Sequence, residues 1–245
     1  MSAFQVSTVN ALVLGHYEKV VAVKDVLEHG TLGLGTYEGL AGEALIIDGK
    51  AYEGQPGGKV IPADPTRGIA FCTVAPFTMA GTVFQVARIA DIAALKARAD
   101  EVRRVECKGD NYPCFMRVDG TFEKITVRSC RRQDQPYRPL LAVTKDQVET
   151  TAENIEGTII GVWFPAFLDG TSIPGWHFHF ISRDRSSLGG HCLACTLKGG
   201  LIGAKREMGF QIVLPSDAGF AKLDLDRDIS KMVATIEGES RKRSD

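Results

Sequence analysis

Residues 174–191 have the sequence PGWHFHFISRDRSSLGGH, and they decide how the C-terminal third of the chain folds. His177 and His179 alternate with Phe178 and Phe180, and this period of two is typical of a β-strand. Successive side chains of a strand point to opposite faces, so the two histidines share one face and lie about 6.6 Å apart along it. The two phenylalanines are expected to point into a hydrophobic core on the other face.

A third histidine opens the next strand. The polar residues 183–187 and a pair of glycines predict a hairpin-like return that brings His191 beside His177 and His179. We name these three residues the histidine triad. Neutral imidazoles bind zinc at about 2.0–2.1 Å, and a three-histidine site leaves positions open for water, a carboxylate or a substrate. The spacing H-x-H-x11-H therefore predicts a catalytic metal site. The alternative is three strand histidines that only form hydrogen bonds.

The rest of the chain contains short strands, turn signals and few helices. The predicted elements are a hairpin over 44–54 that turns at Asp48-Gly49, a helix over 87–105, strands over 113–118 and 121–129 joined by a turn at Asp119-Gly120, and later strands that include 157–167 and 209–215. This pattern predicts an α+β fold with largely antiparallel or mixed β-sheets, a few helices and two packed subdomains. A change in composition near residue 150 predicts an N-terminal α+β half, 1–150, and a β-rich C-terminal half, 151–245, which carries the histidine triad and the C-terminal tail.

Composition and charge exclude several classes of function. The 245 residues include 29 Lys and Arg against 30 Asp and Glu, a net charge of −1. Nucleic acids and anionic membranes are therefore not expected as partners, because binding to them usually needs a basic excess. The longest mostly apolar run, 158–168, is far shorter than the roughly 20 residues that a membrane span needs. A chain of this length buries enough surface to fold without a structural metal, so any metal is expected to be functional.

Six cysteines are spread thinly over the chain, and its first residues lack the basic segment of a secretory signal. We therefore expect reduced thiols and a cytoplasmic location. Cys192 and Cys195 form a C-x-x-C pattern, but residues three apart in a strand face opposite sides. They are predicted to be buried without chelating an ion, with only Cys195 on the face of His191.

Several blocks of the sequence, in order, resemble the bacterial alpha-acetolactate decarboxylases. The blocks are FQVSTVNALVLGHYEKV (4–20), TLGLGTYEGLAGE (31–43), TVRSC (126–130), QPYRPL (135–140), GTIIGVWFPAF (157–167) and the opening block, 174–191. The resemblance runs from about residue 4 to residue 237, and the block that contains the histidine triad is its most specific part.

This resemblance implies a metal-dependent carboxy-lyase that converts 2-acetolactate to acetoin and carbon dioxide. It implies that the histidine triad binds Zn²⁺, although imidazole-rich sites also accept Co, Mn, Fe or Ni. The other site residues that it implies are Arg128, Glu43 and Glu237 around the ion, and Thr36 close to the substrate. Thr36, Glu43 and Arg128 belong to the predicted N-terminal half, and a homodimer is expected for a cytoplasmic enzyme of this size.

The chemistry suits these residue types. Loss of carbon dioxide leaves an electron pair that flows into the ketone and gives an enediolate, whose charge a divalent ion chelated by the ketone and hydroxyl can stabilise. Arg128 has a planar fork of donors suited to the substrate carboxylate. Glu43 or Glu237 would protonate one face of the enediolate, since acetoin is chiral, and either glutamate could instead ligate the ion.

Two other functions remain open from the sequence. A cupin-like metal oxygenase or isomerase also uses an H-x-H strand pair, but it would need a glutamate about four residues after the second histidine, where Arg183 and Asp184 stand. A non-catalytic metal-binding homologue would retain the triad without the chemistry. The glycine-rich segment 31–43 lacks the dinucleotide and P-loop patterns, so nucleotide binding is not expected.

Overall fold

Two β-sheets make up most of the computed structural model, which describes residues 2–79, 83–226 and 229–236. The strands of the first sheet are β1 (Ser2–Val6), β2 (Val21–Ala22), β3 (Leu32–Tyr37), β4 (Glu43–Ile47), β5 (Lys50–Gly54), β6 (Val60–Pro62), β7 (Gly68–Ala75) and β13 (Gly209–Val213). The strand order is β13-β1-β7-β3-β4-β5-β6, with β2 paired to β7. Strand β13 is parallel to β1, and the other pairings in this sheet are antiparallel.

The second sheet carries the histidine triad. Its strands are β8 (Val83–Val86), β9 (Cys114–Ser129), β10 (Val148–Phe164), β11 (Gly175–Ser182) and β12 (Gly189–Arg206). The order is β11-β10-β9-β12-β8, and all of these pairings are antiparallel. Because β11 also pairs with β12, strands β9 to β12 close into a ring.

Five α-helices and four short 3₁₀ helices connect the strands within the described residues. The α-helices are α1 (Val9–Val13), α2 (Val23–Leu27), α3 (Ile92–Cys107), α4 (Leu140–Val143) and α5 (Ser230–Ile236). The 3₁₀ helices are Glu38–Leu40, Thr144–Asp146, Ala166–Leu168 and Phe220–Lys222. None of the described helices has the length and apolar character that crossing a membrane requires.

A shared hydrophobic core holds the two sheets together. One buried cluster combines Leu32, Leu34 and Leu45 of the first sheet with Ile160 and Ile181 of the second. A second cluster lies on the other face of the ring, under α3, and contains Phe178 and Phe180 as the alternation predicts. The α+β class with mixed and antiparallel sheets is confirmed.

The two Asp-Gly pairs of the sequence differ in structure. Asp48 and Gly49 have φ values of 52° and 72°, the left-handed backbone of a tight hairpin turn, so the hairpin over 44–54 is confirmed. The prediction of a turn at Asp119-Gly120 is wrong, because β9 continues without interruption from Cys114 to Ser129. Gly120 pairs with Gly157 of β10 on one side and Gly200 of β12 on the other, and pairing on both sides overrides a local turn signal.

The long helix begins later than its apolar periodicity predicts. The side chain of Asp91 accepts a hydrogen bond from the backbone N–H of Ala94 at 2.8 Å, which is the contact of an N-cap residue. The predicted helix over 87–105 is therefore α3, Ile92–Cys107, while Ile89 forms an isolated bridge with Leu197 of β12. A capping side chain, rather than the apolar pattern, sets the first turn.

The sheets do not divide at residue 150. That position lies within β10, whose N-terminal part pairs with β9. Strands β8 and β9, from the predicted half 1–150, belong to the sheet with the histidine triad, and β13, from the half 151–245, belongs to the first sheet. Arg128 is therefore in the same sheet as the triad.

A β-bulge changes the orientation expected for the cysteines. The register of β12 against β9 shifts between Cys192 and Ala194, so Cys192 pairs with Val127 and Cys195 with Ile125. Both cysteines lie in the hydrophobic cluster under α3, so the prediction that Cys195 shares the face of His191 is wrong. Both are buried free thiols, as predicted.

Candidate metal centre

Strand pairing places the functional side chains in a row. His179 of β11 pairs with His191 of β12, and His191 pairs with Arg128 of β9. Directly paired residues point to the same face of a sheet, so these three side chains are neighbours. Gly190 allows the close approach of β12, because its φ is 157° and a Cβ there would lie 2.6 Å from the carbonyl oxygen of Arg128.

The histidine triad converges as the sequence predicts. One donor nitrogen from each ring lies within 4.8 Å of the others, and all three residues are buried. Nε2 of His177 is 3.0 Å from Nδ1 of His191, and the three ring centroids are 4.8 to 5.4 Å apart. Three donor nitrogens at this spacing could hold one metal ion, and the 3.0 Å contact is also of hydrogen-bond length.

The chemistry of the donors fits a divalent transition metal. Nδ1 of His179 is 3.2 Å from the carbonyl oxygen of Ala44, which only accepts, so Nδ1 carries the proton. Nε2 then presents a lone pair, and among the described residues it has no hydrogen-bond partner, although Oε2 of Glu43 is 3.6 Å away. A backbone acceptor that fixes the tautomer of a ligand histidine is a common second contact in metal sites.

Burial and a neighbouring cation keep the triad neutral. The pKa of His177 is lowered from its ordinary value to about 3, first because burial disfavours the charged ring and then because Arg128 is nearby. The same two causes lower the pKa of His191, and burial followed by the neighbouring His177 lowers that of His179. Unprotonated imidazoles are the form that binds a metal.

This neutrality predicts how the metal-free protein responds to acid. The unfolded chain takes up protons on its histidines below pH 6.5, whereas the buried rings of the folded chain stay neutral, so stability falls as the pH drops from 6.5 towards the lowered folded-state values. Each histidine contributes at most about 1.4 kcal/mol per pH unit. Urea unfolding of the metal-free protein at pH 7.5, 6 and 5 checks this. His179→Gln should show a shallower decline, and an unchanged slope in that variant would contradict the assignment.

Arg128 and Glu43, two of the other implied residues, lie close to the triad. Arg128 is 6% exposed, with Nη2 3.4 Å from Nε2 of His191 and Nη1 donating to Oε1 of Gln147 at 2.9 Å. The side chain of Glu43, at the start of β4, is 14% exposed. Together with the triad, Glu43 and Arg128 line one cavity.

Thr36 also lines this cavity, directly across the β3–β4 pair from Glu43. Its hydroxyl donates to the carbonyl oxygen of Gly42 at 2.9 Å. This hydrogen bond stabilises the backbone that leads into Glu43. Glu237 lies outside the described residues. The last described residue, Ile236 of α5, lines the cavity.

Most of the remaining residues that line the cavity are apolar, and they were not predicted. They come from α1, α4, α5 and nearby segments and are Val9, Leu12, Val13, Leu40, Phe71, Leu140, Ile173, Val233 and Ile236. Each looks like an ordinary core residue in the sequence. Gln147 was also not predicted, since its contact with Arg128 becomes visible only when the pairing of β9 and β10 is known.

Comparisons with known proteins agree on one family. Residues 3–227 match the sequence model described as alpha-acetolactate decarboxylase. The alpha-acetolactate decarboxylase of Lactococcus lactis is 33% identical over 230 residues, which cover 93% of this chain and 94% of that protein. That of Methanosarcina mazei is 32% identical over 234 residues, with 96% and 79% covered. The crystal structure of alpha-acetolactate decarboxylase from Bacillus subtilis is similar with a TM-score of 0.89 at 26% identity, over 97% of this chain and 99% of that one.

Proposed function

The chain belongs to the alpha-acetolactate decarboxylase family of carboxy-lyases, and we propose that it converts 2-acetolactate and a proton to acetoin and carbon dioxide in the cavity around the histidine triad. The family membership confirms the resemblance seen in the sequence. The observation that carries the proposal is that three buried neutral imidazoles, Arg128 and Glu43 line a single cavity.

The histidine triad would hold a divalent ion, and we take zinc as the ion because neutral imidazoles suit it and leave its full charge available. When bound, the ion supplies a Lewis acid that stabilises negative charge developing on the ketone and hydroxyl oxygens of the substrate. The protein contributes the fixed tautomer of His179, set by the carbonyl of Ala44, and a buried setting that strengthens electrostatic interactions.

Arg128 is assigned to the substrate carboxylate. Its guanidinium is permanently charged, is buried beside His191, and offers parallel N–H donors that match a carboxylate. Holding the carboxylate fixes the scissile C–C bond relative to the ketone, so that the electron pair left by carbon dioxide flows into the ketone π system. The same cation then faces the enediolate and stabilises its charge.

Glu43 is assigned to protonation of the enediolate. Its carboxyl group lies beside Nε2 of His179 and lines the cavity, and its side chain is 14% exposed. A carboxylic acid held on one side of the planar enediolate delivers its proton to one face, which makes the acetoin product chiral. Glu237 is the alternative proton donor, and ligation of the ion by either glutamate is part of the same proposal.

Thr36 completes the polar side of the cavity. Because its hydroxyl donates to Gly42, the oxygen lone pairs remain available to accept from the substrate hydroxyl, and the same bond steadies the backbone before Glu43. The apolar wall formed by α1, α4 and α5 suits the methyl groups of 2-acetolactate and limits the water that can reach the enediolate. A homodimer and a cytoplasmic location complete the proposal, the latter supported by six free cysteines.

Metal removal tests the function directly. Acetoin formation from 2-acetolactate should fall to background after dialysis against a strong chelator and should return on addition of one equivalent of Zn²⁺. The measurement is a colorimetric acetoin assay paired with metal analysis of the same samples. Full activity in metal-free protein would end the metal proposal. Bound zinc without any acetoin would favour the non-catalytic alternative, and consumption of oxygen would favour the cupin-like one.

A further inference from the structure

We propose that Gln147 is a positioning residue, which holds the guanidinium of Arg128 in the orientation that receives the substrate carboxylate. The inference rests on the proposed function, because that function assigns the carboxylate to Arg128. It goes beyond the assignment by naming the residue that orients the arginine and by explaining why a neutral amide stands there.

The contact between the two side chains is short and sheltered. Nη1 of Arg128 donates to Oε1 of Gln147 at 2.9 Å, whereas Nη2 is 3.4 Å from His191 and Nε has no hydrogen-bond partner among the described residues. Arg128 is 6% exposed and Gln147 is half-buried. Gln147 therefore supplies the shortest hydrogen bond that fixes the rotation of the guanidinium about its stem.

A second hydrogen bond, to the exposed side chain of Glu149, orients the amide itself. Nε2 of Gln147 donates to Oε1 of Glu149 at 2.7 Å. A guanidinium can only donate and a carboxylate can only accept, so the amide satisfies both neighbours in just one of its two orientations, with its oxygen towards Arg128. Glutamine is the side chain that can link a donor group to an acceptor group in this way.

The backbone holds this chain of contacts in place. Gln147 ends the 3₁₀ helix Thr144–Asp146 and directly precedes β10, in which Glu149 pairs with Arg128 across the sheet. Residues two apart on an extended strand point to the same face, so Gln147 and Glu149 both reach the side of Arg128. Thr144 lines the cavity but Gln147 is not among the described residues that do, so Gln147 acts through Arg128 rather than on the substrate.

Two other buried or partly buried arginines are held by carboxylates instead. Arg103 contacts the carboxylates of Asp100 and Asp110, and Arg117 contacts those of Asp48 and Asp119. A carboxylate neutralises the guanidinium that it holds, which suits a structural ion pair. The neutral amide of Gln147 orients Arg128 without competing for its charge, which suits an arginine that must bind an anionic substrate.

A double-mutant cycle tests the inference. Gln147→Met removes the amide at nearly constant shape, and we expect kcat/KM for 2-acetolactate to fall by about 10-fold with zinc content unchanged. In an Arg128→Lys background the same substitution should change kcat/KM by less than about 2-fold, because the residue that it positions is gone. Gln147→Glu, which keeps the acceptor but adds a negative charge, should keep kcat near that of the wild type and raise KM. An equal loss in both backgrounds, or no loss at all, would overturn the inference.

Gln133 provides a matched control. Its Oε1 accepts from Nε and Nη2 of Arg138 at 3.3 and 3.1 Å, on an exposed arginine that is not among the described residues lining the cavity. Gln133→Met should leave kcat and KM unchanged. Calorimetry measures how tightly the zinc-loaded protein binds 2-hydroxy-2-methylpropanoate, an unreactive hydroxy acid. This measurement distinguishes a failure of the positioning role from a failure of the proposed function. A wild type that binds this acid but forms no acetoin from 2-acetolactate sinks the proposed function. Unchanged affinity in Gln147→Met sinks the positioning role.

Discussion

Replacing His179 with alanine should abolish both zinc binding and acetoin formation. His179 is 1% exposed, and its Nδ1 donates a hydrogen bond to the carbonyl oxygen of Ala44. Its Nε2 is therefore the nitrogen available to share an ion with the other two rings of the triad. Its loss leaves two imidazoles, and a Lewis acid worth several kcal/mol of charge stabilisation is no longer held in the cavity. We expect zinc content well below one equivalent and kcat reduced by at least about 1,000-fold. Elemental analysis and steady-state kinetics on the same preparation measure both effects.

His29 is the matched control for this experiment. It is half-buried outside the site and stacks on Phe4 with ring centroids 3.7 Å apart. His29→Ala should retain one equivalent of zinc and normal turnover, even if its stability falls somewhat. A His179→Ala protein that still binds one equivalent of zinc and turns over normally would remove the triad from the mechanism.

The convergence of the three histidines could be predicted from the sequence because it depends on a short segment of the chain. The alternation of His177, Phe178 and His179 requires only that the segment be a strand, and the two-residue period then fixes which side chains share a face. The return of His191 followed from a polar loop and two glycines. No long-range pairing had to be known to bring these rings together.

The places of Glu43 and Arg128 could not be predicted from local pattern. Arg128 reaches the triad because β9 pairs with β12 at a specific register, across 63 residues of chain. Glu43 reaches it because β4 of the first sheet packs against the ring of the second. Only the family resemblance indicated these residues from the sequence, because the register between distant strands cannot be predicted from a short stretch of sequence.

Two of the errors arise from strand pairing. Asp119-Gly120 has the composition of a turn, yet the pairing of β9 on both of its edges keeps the pair extended. The bulge after Cys192 likewise reverses the alternation that places Cys195. At Asp119-Gly120, pairing on both sides overrides a local preference of only about 1 kcal/mol.

Arg128→Lys should reduce turnover strongly while leaving zinc content unchanged. Lysine keeps the positive charge, so electrostatic attraction of an anion survives. Its ammonium is a single point with three donors, and it cannot bond to Gln147 on one side while presenting two parallel N–H groups to a carboxylate on the other. The substrate carboxylate then rotates relative to the ketone, and such a misalignment costs on the order of 100-fold in kcat. Steady-state kinetics with 2-acetolactate measure the turnover, and elemental analysis measures the zinc content.

Arg88→Lys, at an exposed arginine paired with Glu123, is the control and should leave turnover and zinc content unchanged. Wild-type kcat and KM in Arg128→Lys would reassign Arg128 to a structural role. Loss of zinc would instead show that its contact with His191 supports the metal rather than the substrate.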